Sequence, residues 1–303
     1  MNFLVVGDLH GNKPKILAKD FDAIITTGDF CSDKHLNPLY KAWFGYLKKE
    51  KESQLSFSEF VVDMIGKKRL RELETESLKG GRKVLEFLNS FGVPVYIVPG
   101  NWDQSYGKTK IKNSDASDYN YIKSFLDYYL ADKTNPYLTR GLRNIKDCQF
   151  KLHKIKEYNI IGYGLSSGPE YYAKKLKKRK FSKSESLKLR NAYQKIMNKL
   201  AEKCSKNNGK ITVFLTHNVP YGMKLDVGFD KNSYAYKKHL GSSIARDFCK
   251  RYKPLVCIGG HIHEHFGKCI LGKTTVINAG YGFKGNVILE LNDSKIKRLK
   301  FVK

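Results

Sequence analysis

Five apolar stretches end in polar residues, and each predicts a buried β-strand. They are NFLVV (2–6), DAIITT (22–27), VPVYIV (93–98), ITVFLT (211–216) and PLVCIG (254–259). Their apolar residues are continuous rather than alternating with polar ones, which indicates strands covered on both faces. Each stretch is followed by Gly, Asp, Asn or His. Because ligands in open α/β sheets gather at the carboxyl ends of the strands, these residues predict a site at one edge of the sheet.

The C-terminal stretch has a different pattern. Residues 274–302 predict a strand, a Gly-rich turn and a hairpin in which GNVILEL (285–291) pairs with KIKRLKFV (295–302) across the NDS turn. We expect a single domain over residues 1–303.

Two segments of that domain depart from the strand pattern. About 38–91 the apolar residues follow helical spacing, which predicts an insertion of two or three amphipathic helices. About 170–208 the chain predicts a basic insertion, with a Lys-rich loop followed by a helix from Ser184 or Ser186 to Ala201.

The composition excludes several classes of protein. Of 303 residues, 41% are hydrophobic, and no apolar run approaches the roughly 20 residues that span a bilayer. The first apolar stretch is too short for a signal peptide, so we expect a cytoplasmic protein with no membrane partner. The six Cys residues show no CxxC spacing and are expected to be reduced thiols.

The net charge of +27 favours anionic partners such as nucleic acid or nucleotides. Residues 171–210 contain fourteen Lys or Arg residues and two Glu residues. This segment is either a solvated helix face or a surface that follows a phosphate backbone. The richness in Lys, Asn, Ile and Tyr is also typical of an AT-rich genome, so a functional and a compositional origin of the charge both stay open.

The polar residues that follow the five strands form a candidate metal site. They supply seven oxygen or imidazole donors, which suit two divalent cations of the Mn, Fe or Zn type. In an extended segment, residues two apart point the same way. The pair Asp8 and His10 and the pair His261 and His263 can therefore each reach one site. The candidate donors are Asp8, His10, Asp29, Asn101, His217, His261 and His263.

The motifs GDLHGN, GDF, GNWD, THN and GGHIHE, in this order, resemble the calcineurin-like metallophosphoesterase superfamily. Its motifs read GDxHG, GDxx, GNH[DE], xH and GHxH, and the resemblance spans roughly residues 1–290. It implies a four-layer α-β-β-α sandwich of two mixed sheets, with a dinuclear metal centre above the strand ends. The helical insertion and the basic insertion match nothing diagnostic in it.

The resemblance also implies how the donors divide. Asp8, His10 and His263 would hold one metal ion, and Asp29 would bridge to the other. Asn101, His217 and His261 would complete the second site. Two cations at this distance offset the charge of a phosphate ester and lower the pKa of a bridging water toward neutrality, giving hydroxide for attack. We expect Asp29, Asn101 and His217 to be directly involved in catalysis.

Trp102 departs from the pattern, because it stands where the family has a His that acts as proton donor or electrostatic stabiliser. Three alternatives follow. The leaving group needs little protonation, as in an aryl ester or a phosphoanhydride; another group such as His35, His265 or a metal-bound water supplies the proton; or the site is catalytically weak. Trp102 itself is either an aromatic lid or a surface on which a substrate base stacks.

The sequence therefore favours a metal-dependent phosphoesterase that acts on a phosphodiester in preference to a protein phosphomonoester; phosphomonoester and phosphoanhydride bonds stay open as alternatives. One alternative is a nuclease on DNA or RNA that uses the basic surface. The other is a non-catalytic metal-binding scaffold that lacks the usual acid His. Phosphoprotein phosphatase activity is disfavoured because no Arg residues were identified at the positions that clamp a monoester. Oligomeric state is left open.

Overall fold

The computed structural model describes residues 1–50, 55–103, 136–166, 168–170, 182–206, 210–231 and 236–303. Its strands form two mixed sheets, as the resemblance implied. The strands are β1 (Asn2–Val6), β2 (Ala23–Thr26), β3 (Val95–Ile97), β4 (Ile145–Asp147), β5 (Leu152–Ile155), β6 (Tyr158–Tyr163), β7 (Val213–Asn218), β8 (Val256–Gly260), β9 (Gly267–Leu271), β10 (Thr274–Asn278), β11 (Asn286–Asn292) and β12 (Lys295–Val302).

The first sheet has the order β12-β11-β1-β2-β3-β4, and the second has the order β5-β6-β7-β8-β10-β9. Strands β1 to β4 are parallel to one another, as are β6, β7, β8 and β10. Antiparallel strands lie at one edge of the first sheet, β11 and β12, and at both edges of the second, β5 and β9. The predicted pairing of β11 with β12 is confirmed.

Helices cover the outer faces of both sheets. They are α1 (Leu36–Lys49), α2 (Phe57–Asn89), α3 (Pro136–Thr139), α4 (Lys183–Ser205) and α5 (Ser243–Tyr252), with a 3₁₀ turn at Lys224–Asp226. None of the helices within the described ranges combines the length and the apolar character needed to span a bilayer.

The core forms between the sheets and on their outer faces. In β1, Phe3 and Val5 point into the space between the sheets, where they join residues of β7 and β8. The alternate residues, Leu4 and Val6, face the other way and pack with α2. Residues two apart in a strand share a face, so the continuous apolar pattern follows from burial on both sides. On the second sheet, α4 and α5 cover the outer face. The layers are thus helix, sheet, sheet and helix.

The helical segment, residues 36–89, contains α1 and α2. Ser56 caps α2, because its side chain accepts from the Glu59 amide at 3.2 Å while the Glu59 carboxylate accepts from the Ser56 amide at 2.7 Å. Gly66, at φ 77° and ψ 155°, breaks the regular helix and divides α2 into a short and a long part. The segment therefore forms three helical pieces, and the part of α2 from Leu78 onward packs on the first sheet.

Helix α4 extends beyond the predicted end at Ala201 and finishes at Ser205. The additional turn carries Cys204, which is fully buried with Ile196 and Leu200 on the face toward the second sheet. A single small apolar residue among lysines gave little sign of this turn. The predicted Lys-rich loop before α4 covers residues 171–181, which lie outside the described residues.

All six cysteines are unpaired, and five of them are buried. Strands β4, β5, β6 and β9 and helix α5 were not predicted. Strands β5 and β9 are half-exposed and have only four and five residues, so they show no continuous apolar run.

Leu85→Ala tests the contact between α2 and the first sheet. Leu85 is fully buried in that contact, so the variant should lose about 2–5 kcal/mol of unfolding free energy through lost transfer energy and the cavity left behind. Leu187→Ala, at a side chain 55% exposed, is the control and should stay within about 0.5 kcal/mol of the original protein. Urea unfolding measures both, and equal losses would contradict the layer assignment.

Candidate metal centre

The carboxyl ends of the parallel strands of both sheets meet at one rim. Asp8 follows β1, Asp29 follows β2 and Asn101 follows β3, all in the first sheet. From the second sheet come His217 at the end of β7 and His261 after β8. The motifs thus lie where the order of strands in the two sheets brings their ends together.

Four of the predicted donors form a first cluster: Asp8, His10, Asp29 and His263. One donor atom from each lies within 4.8 Å of all the others. The Nε2 atoms of His10 and His263 are 3.2 Å apart, and His263 Nε2 lies 3.0 Å from Asp8 Oδ2. All these atoms are ones that bind transition metals in proteins.

A second cluster contains Asp29, His217 and His261, again with donor atoms within 4.8 Å of one another. Asn101 adds its Oδ1, which lies 2.8 Å from His217 Nε2 and 2.9 Å from His261 Nδ1. Asp29 belongs to both clusters, because its Oδ2 is 3.6 Å from His10 Nε2 and 3.4 Å from His217 Nε2. The structure brings together all seven predicted residues.

The hydrogen bonds of His217 leave a lone pair directed into the second cluster. The carbonyl oxygen of Thr27 lies 2.8 Å from His217 Nδ1 and can only accept, so Nδ1 carries the proton. In the neutral imidazole, Nε2 is then an acceptor, and it faces the acceptor oxygens of Asn101 and Asp29. Acceptors that converge without a proton between them fit a shared cation.

Three of the clustered residues adopt the left-handed backbone conformation. The φ angles are 47° for His10, 51° for Asp29 and 68° for His261. This region costs free energy for residues with a Cβ, and such residues concentrate at functional sites. The strained backbone at these three residues thus accompanies the placement of their side chains in the clusters.

Two glycines allow the loops to approach the carboxylates closely. A Cβ at Gly100 would lie 2.2 Å from Asp29 Oδ1, and a Cβ at Gly260 would lie 2.3 Å from Asp8 Oδ1. Any side chain at either position would displace the carboxylate. The Gly of GNWD and the second Gly of GGHIHE are therefore required by contact.

Burial and neighbouring charges shift the pKa values of the Asp8 and Asp29 carboxylates in opposite directions. Burial favours the protonated form of Asp8, but His217, His263 and His10 outweigh it, so the pKa of Asp8 lies well below its usual value. For Asp29, burial dominates and Asp8 and Asp103 reinforce it, which raises the pKa well above its usual value. Burial and the neighbouring His217 lower the pKa of His261, which keeps this imidazole neutral and able to bind a metal ion.

Trp102 connects the centre to the helical segment. Its amide donates to Asp29 Oδ1 at 2.7 Å, and its ring lies edge-on to His10 at 6.5 Å and to Tyr40 of α1 at 5.8 Å between centroids. The ring also packs against the apolar cluster of α1 and α2 that includes Leu73. Trp102 thus contacts the rim with its backbone and the helices with its side chain.

Asp103 joins two loops of the rim. Its Oδ1 accepts from the amides of Phe30 and Cys31 at 2.7 and 2.9 Å, and its Oδ2 accepts from the Gly100 amide at 2.8 Å. The carboxylate therefore holds the loop that carries Asp29 against the loop that carries Asn101.

The two histidines considered as proton donors have their polar contacts elsewhere. His265 Nε2 donates to the Val227 carbonyl at 2.9 Å, and its ring packs on Phe229 at 4.9 Å. The His35 side chain is 51% exposed, and its nearest carboxylate is Glu76 at 4.0 Å. The structure does not place either of them in the two clusters.

Sequence reasoning missed three residues at the rim. Thr27 Oγ1 donates to Asp8 Oδ1 at 2.6 Å, and Asp33 Oδ2 lies 3.4 Å from His10 Nδ1. Tyr281 packs on His263 with centroids 3.8 Å apart. The signal for Tyr281 was its place in the Gly-rich turn after a further parallel strand, β10, whose carboxyl end reaches the same rim.

A sequence model of the calcineurin-like phosphoesterase family matches residues 1–265, and the chain belongs to this family. One solved structure, 18% identical in sequence, superposes with a TM-score of 0.56 and covers 100% of this chain and 99% of its own. That likeness supports the fold.

Two other solved structures are more loosely similar. Phosphopantetheinyl hydrolase (PptH) from Mycobacterium tuberculosis is 13% identical, with a TM-score of 0.48 over 93% of this chain and 90% of its own. The protein TT1561 of Thermus thermophilus is 14% identical, with a TM-score of 0.47 over 100% of this chain and 99% of its own. No conclusion about substrate rests on them. No curated protein matches the chain.

Asp103→Asn tests the connection between the two loops. An amide NH₂ would face a backbone N–H that now meets a carboxylate oxygen, so the variant should lose about 1–3 kcal/mol of unfolding free energy. The control is Asp293→Asn in the exposed β11–β12 turn, where Asn tolerates the φ of 50°. Urea unfolding of both variants measures the effect, and an unchanged Asp103→Asn midpoint would refute the structural role.

Proposed function

We propose that this protein is a metal-dependent phosphoesterase that hydrolyses phosphodiesters. The proposal depends on one observation: two donor clusters share the carboxylate of Asp29. The chemistry of the donors, carboxylate, imidazole and amide oxygen, is suited to Mn, Fe or Zn.

In this proposal each cluster holds one divalent ion. Asp8, His10 and His263 hold the first, His217, His261 and Asn101 hold the second, and Asp29 contacts both. The acceptor atoms that converge between His217 and Asn101 support this assignment, since a cation there removes their mutual repulsion. When bound, a pair of such ions supplies neutralisation of the phosphate charge and a more acidic water.

The chain's own residues orient and fix the centre. Thr27 positions two proposed metal ligands. Its hydroxyl donates a hydrogen bond to Asp8, and its carbonyl accepts one from the Nδ1–H of His217. The Trp102 amide fixes one oxygen of Asp29 and leaves the other directed between the clusters. Such preorganisation removes reorganisation from the reaction step.

A phosphodiester is favoured over a monoester by the surroundings of the centre. A cavity of about 580 Å³ opens beside His261 and His263, within the size range of sites that hold small organic ligands rather than a bare phosphate. Trp102 supplies no proton near neutral pH, which favours esters with a good leaving group. An aryl phosphodiester has both properties.

Polynucleotide cleavage is the second candidate. Helix α4 is buried along one side and exposes basic residues on the other, among them Lys188, Arg190 and Lys195. A surface of this kind can follow a phosphate backbone, and its affinity would fall steeply with salt. Indifference of the protein to single-stranded DNA at low salt would remove this candidate.

Metal analysis tests the centre directly. The purified protein should contain about two equivalents of transition metal per chain, and His263→Ala should lower this to about one because the first ion loses a ligand. The control His265→Ala, further along the same loop, should keep both. Elemental analysis by mass spectrometry gives the stoichiometry. A protein that retains no metal ion would contradict the proposal and favour a scaffold.

A hydrolysis screen with added Mn²⁺ tests the activity. Its substrates are bis-p-nitrophenyl phosphate, p-nitrophenyl phosphate, cyclic nucleotides and single-stranded DNA. We expect the diester to be cleaved fastest, and Asp29→Asn to lose more than the roughly 100-fold that removal of an outer-shell partner costs. Asp20→Asn, at an exposed carboxylate, is the matched control. If the original protein and Asp29→Asn were equally inert on every substrate, the enzyme proposal would be abandoned.

A further inference from the structure

Tyr281 is held at the rim by backbone pairing with a proposed metal ligand. It forms a parallel bridge with Asp8. The Asp8 amide donates to the Gly280 carbonyl at 2.9 Å, and the Gly282 amide donates to the Asp8 carbonyl at 2.9 Å. These bonds on either side of Tyr281 fix its Cα beside the first cluster.

The ring of Tyr281 lies across two imidazoles of that cluster. Its centroid is 3.8 Å from that of His263, with an interplanar angle of 35°, and 5.9 Å from that of His10, with an angle of 69°. Tyr281 also lines the 580 Å³ cavity together with His261 and His263. The side chain of Tyr281 thus borders both the cavity and the first cluster.

The hydroxyl of Tyr281 is available for a ligand. It has no hydrogen-bond partner among the residues that the structure describes, although the side chain is half-buried. A phenol can donate one hydrogen bond. A half-buried donor without a protein partner that borders a cavity is suited to an oxygen of the substrate.

Trp102 and Tyr281 both contact the ring of His10 edge-on, with centroids 6.5 and 5.9 Å from it. The family's imidazole is missing at Trp102, where the indole is packed against Tyr40 and the helices. At Tyr281 a hydroxyl donor is present. The structure thus places the hydroxyl-bearing ring of Tyr281 next to His10, on the segment that follows β10 rather than on the one that follows β3.

We propose that the Tyr281 hydroxyl donates a hydrogen bond to the leaving-group oxygen of the bound ester, and so acts as a catalytic residue. This rests on the phosphoesterase function proposed above. In the reaction a bond forms between phosphorus and a water oxygen, which releases one proton to solvent, and the bond to the leaving oxygen breaks with its electron pair. The hydroxyl stabilises the charge that develops on that oxygen, while the final protonation comes from solvent.

The test is Tyr281→Phe on a series of aryl phosphodiesters whose leaving phenols differ in pKa. The variant keeps the ring on His263 and deletes one oxygen. Its loss in kcat should be small for p-nitrophenoxide and rise to about 100-fold for unsubstituted phenoxide, which carries more charge in need of a donor. Tyr252→Phe, on α5 against Phe248, is the matched control and should show no dependence on the leaving group.

Metal stoichiometry and the thermal midpoint of Tyr281→Phe are measured alongside and should equal those of the original protein. A loss of the same size for every leaving group, or a loss of metal, would assign Tyr281 a structural role and overturn the inference while the proposed function stands. An original protein that is inert on the whole series would overturn both.

Discussion

The position of one carboxylate, that of Asp29, determines whether the rim forms one centre or two unrelated groups of polar side chains. Its Oδ2 lies within 3.6 Å of a histidine from each cluster, and its Oδ1 is fixed by the Trp102 amide. Burial makes an unshared charge at this place costly, as the raised pKa of Asp29 indicates. The left-handed backbone at Asp29, the absent side chain at Gly100 and the loop contacts of Asp103 all serve this one placement.

The helical segment contributes to the centre through Trp102 rather than through a ligand of its own. In the family pattern the residue at this place takes part in the reaction. Here its ring contacts both Tyr40 and His10, so it links two parts of the molecule. The presence of Trp rather than His at position 102 thus has two effects: an acid is missing, and a packing contact with α1 is gained. The proposed phosphoesterase activity therefore requires that the leaving oxygen be stabilised by other means.

Much of the fold and of the centre was accessible from the sequence, because strongly apolar strands and short polar motifs follow directly from their chemistry. Asp8, His10, Asp29 and their partners were identified from strand ends alone. Edge strands such as β5 and β9 were not, since a half-exposed strand of four or five residues has too little pattern. Tyr281 was missed for another reason: its one signal in the sequence is its place in the Gly-rich turn after β10, and the pairing with Asp8 shows that this turn lies at the rim.

The two ends of the chain's metal-binding pattern meet across the molecule, for His10 and His263 touch although 253 residues separate them. A partially folded chain in which only the first sheet has formed lacks His217, His261 and His263, and would bind a transition ion less tightly. Under the proposed function, an ion that binds only the state in which the two sheets are docked would shift the equilibrium toward that state. In such a molecule the metal ions also stabilise the packing of the two sheets, and their removal would lower the free energy of unfolding.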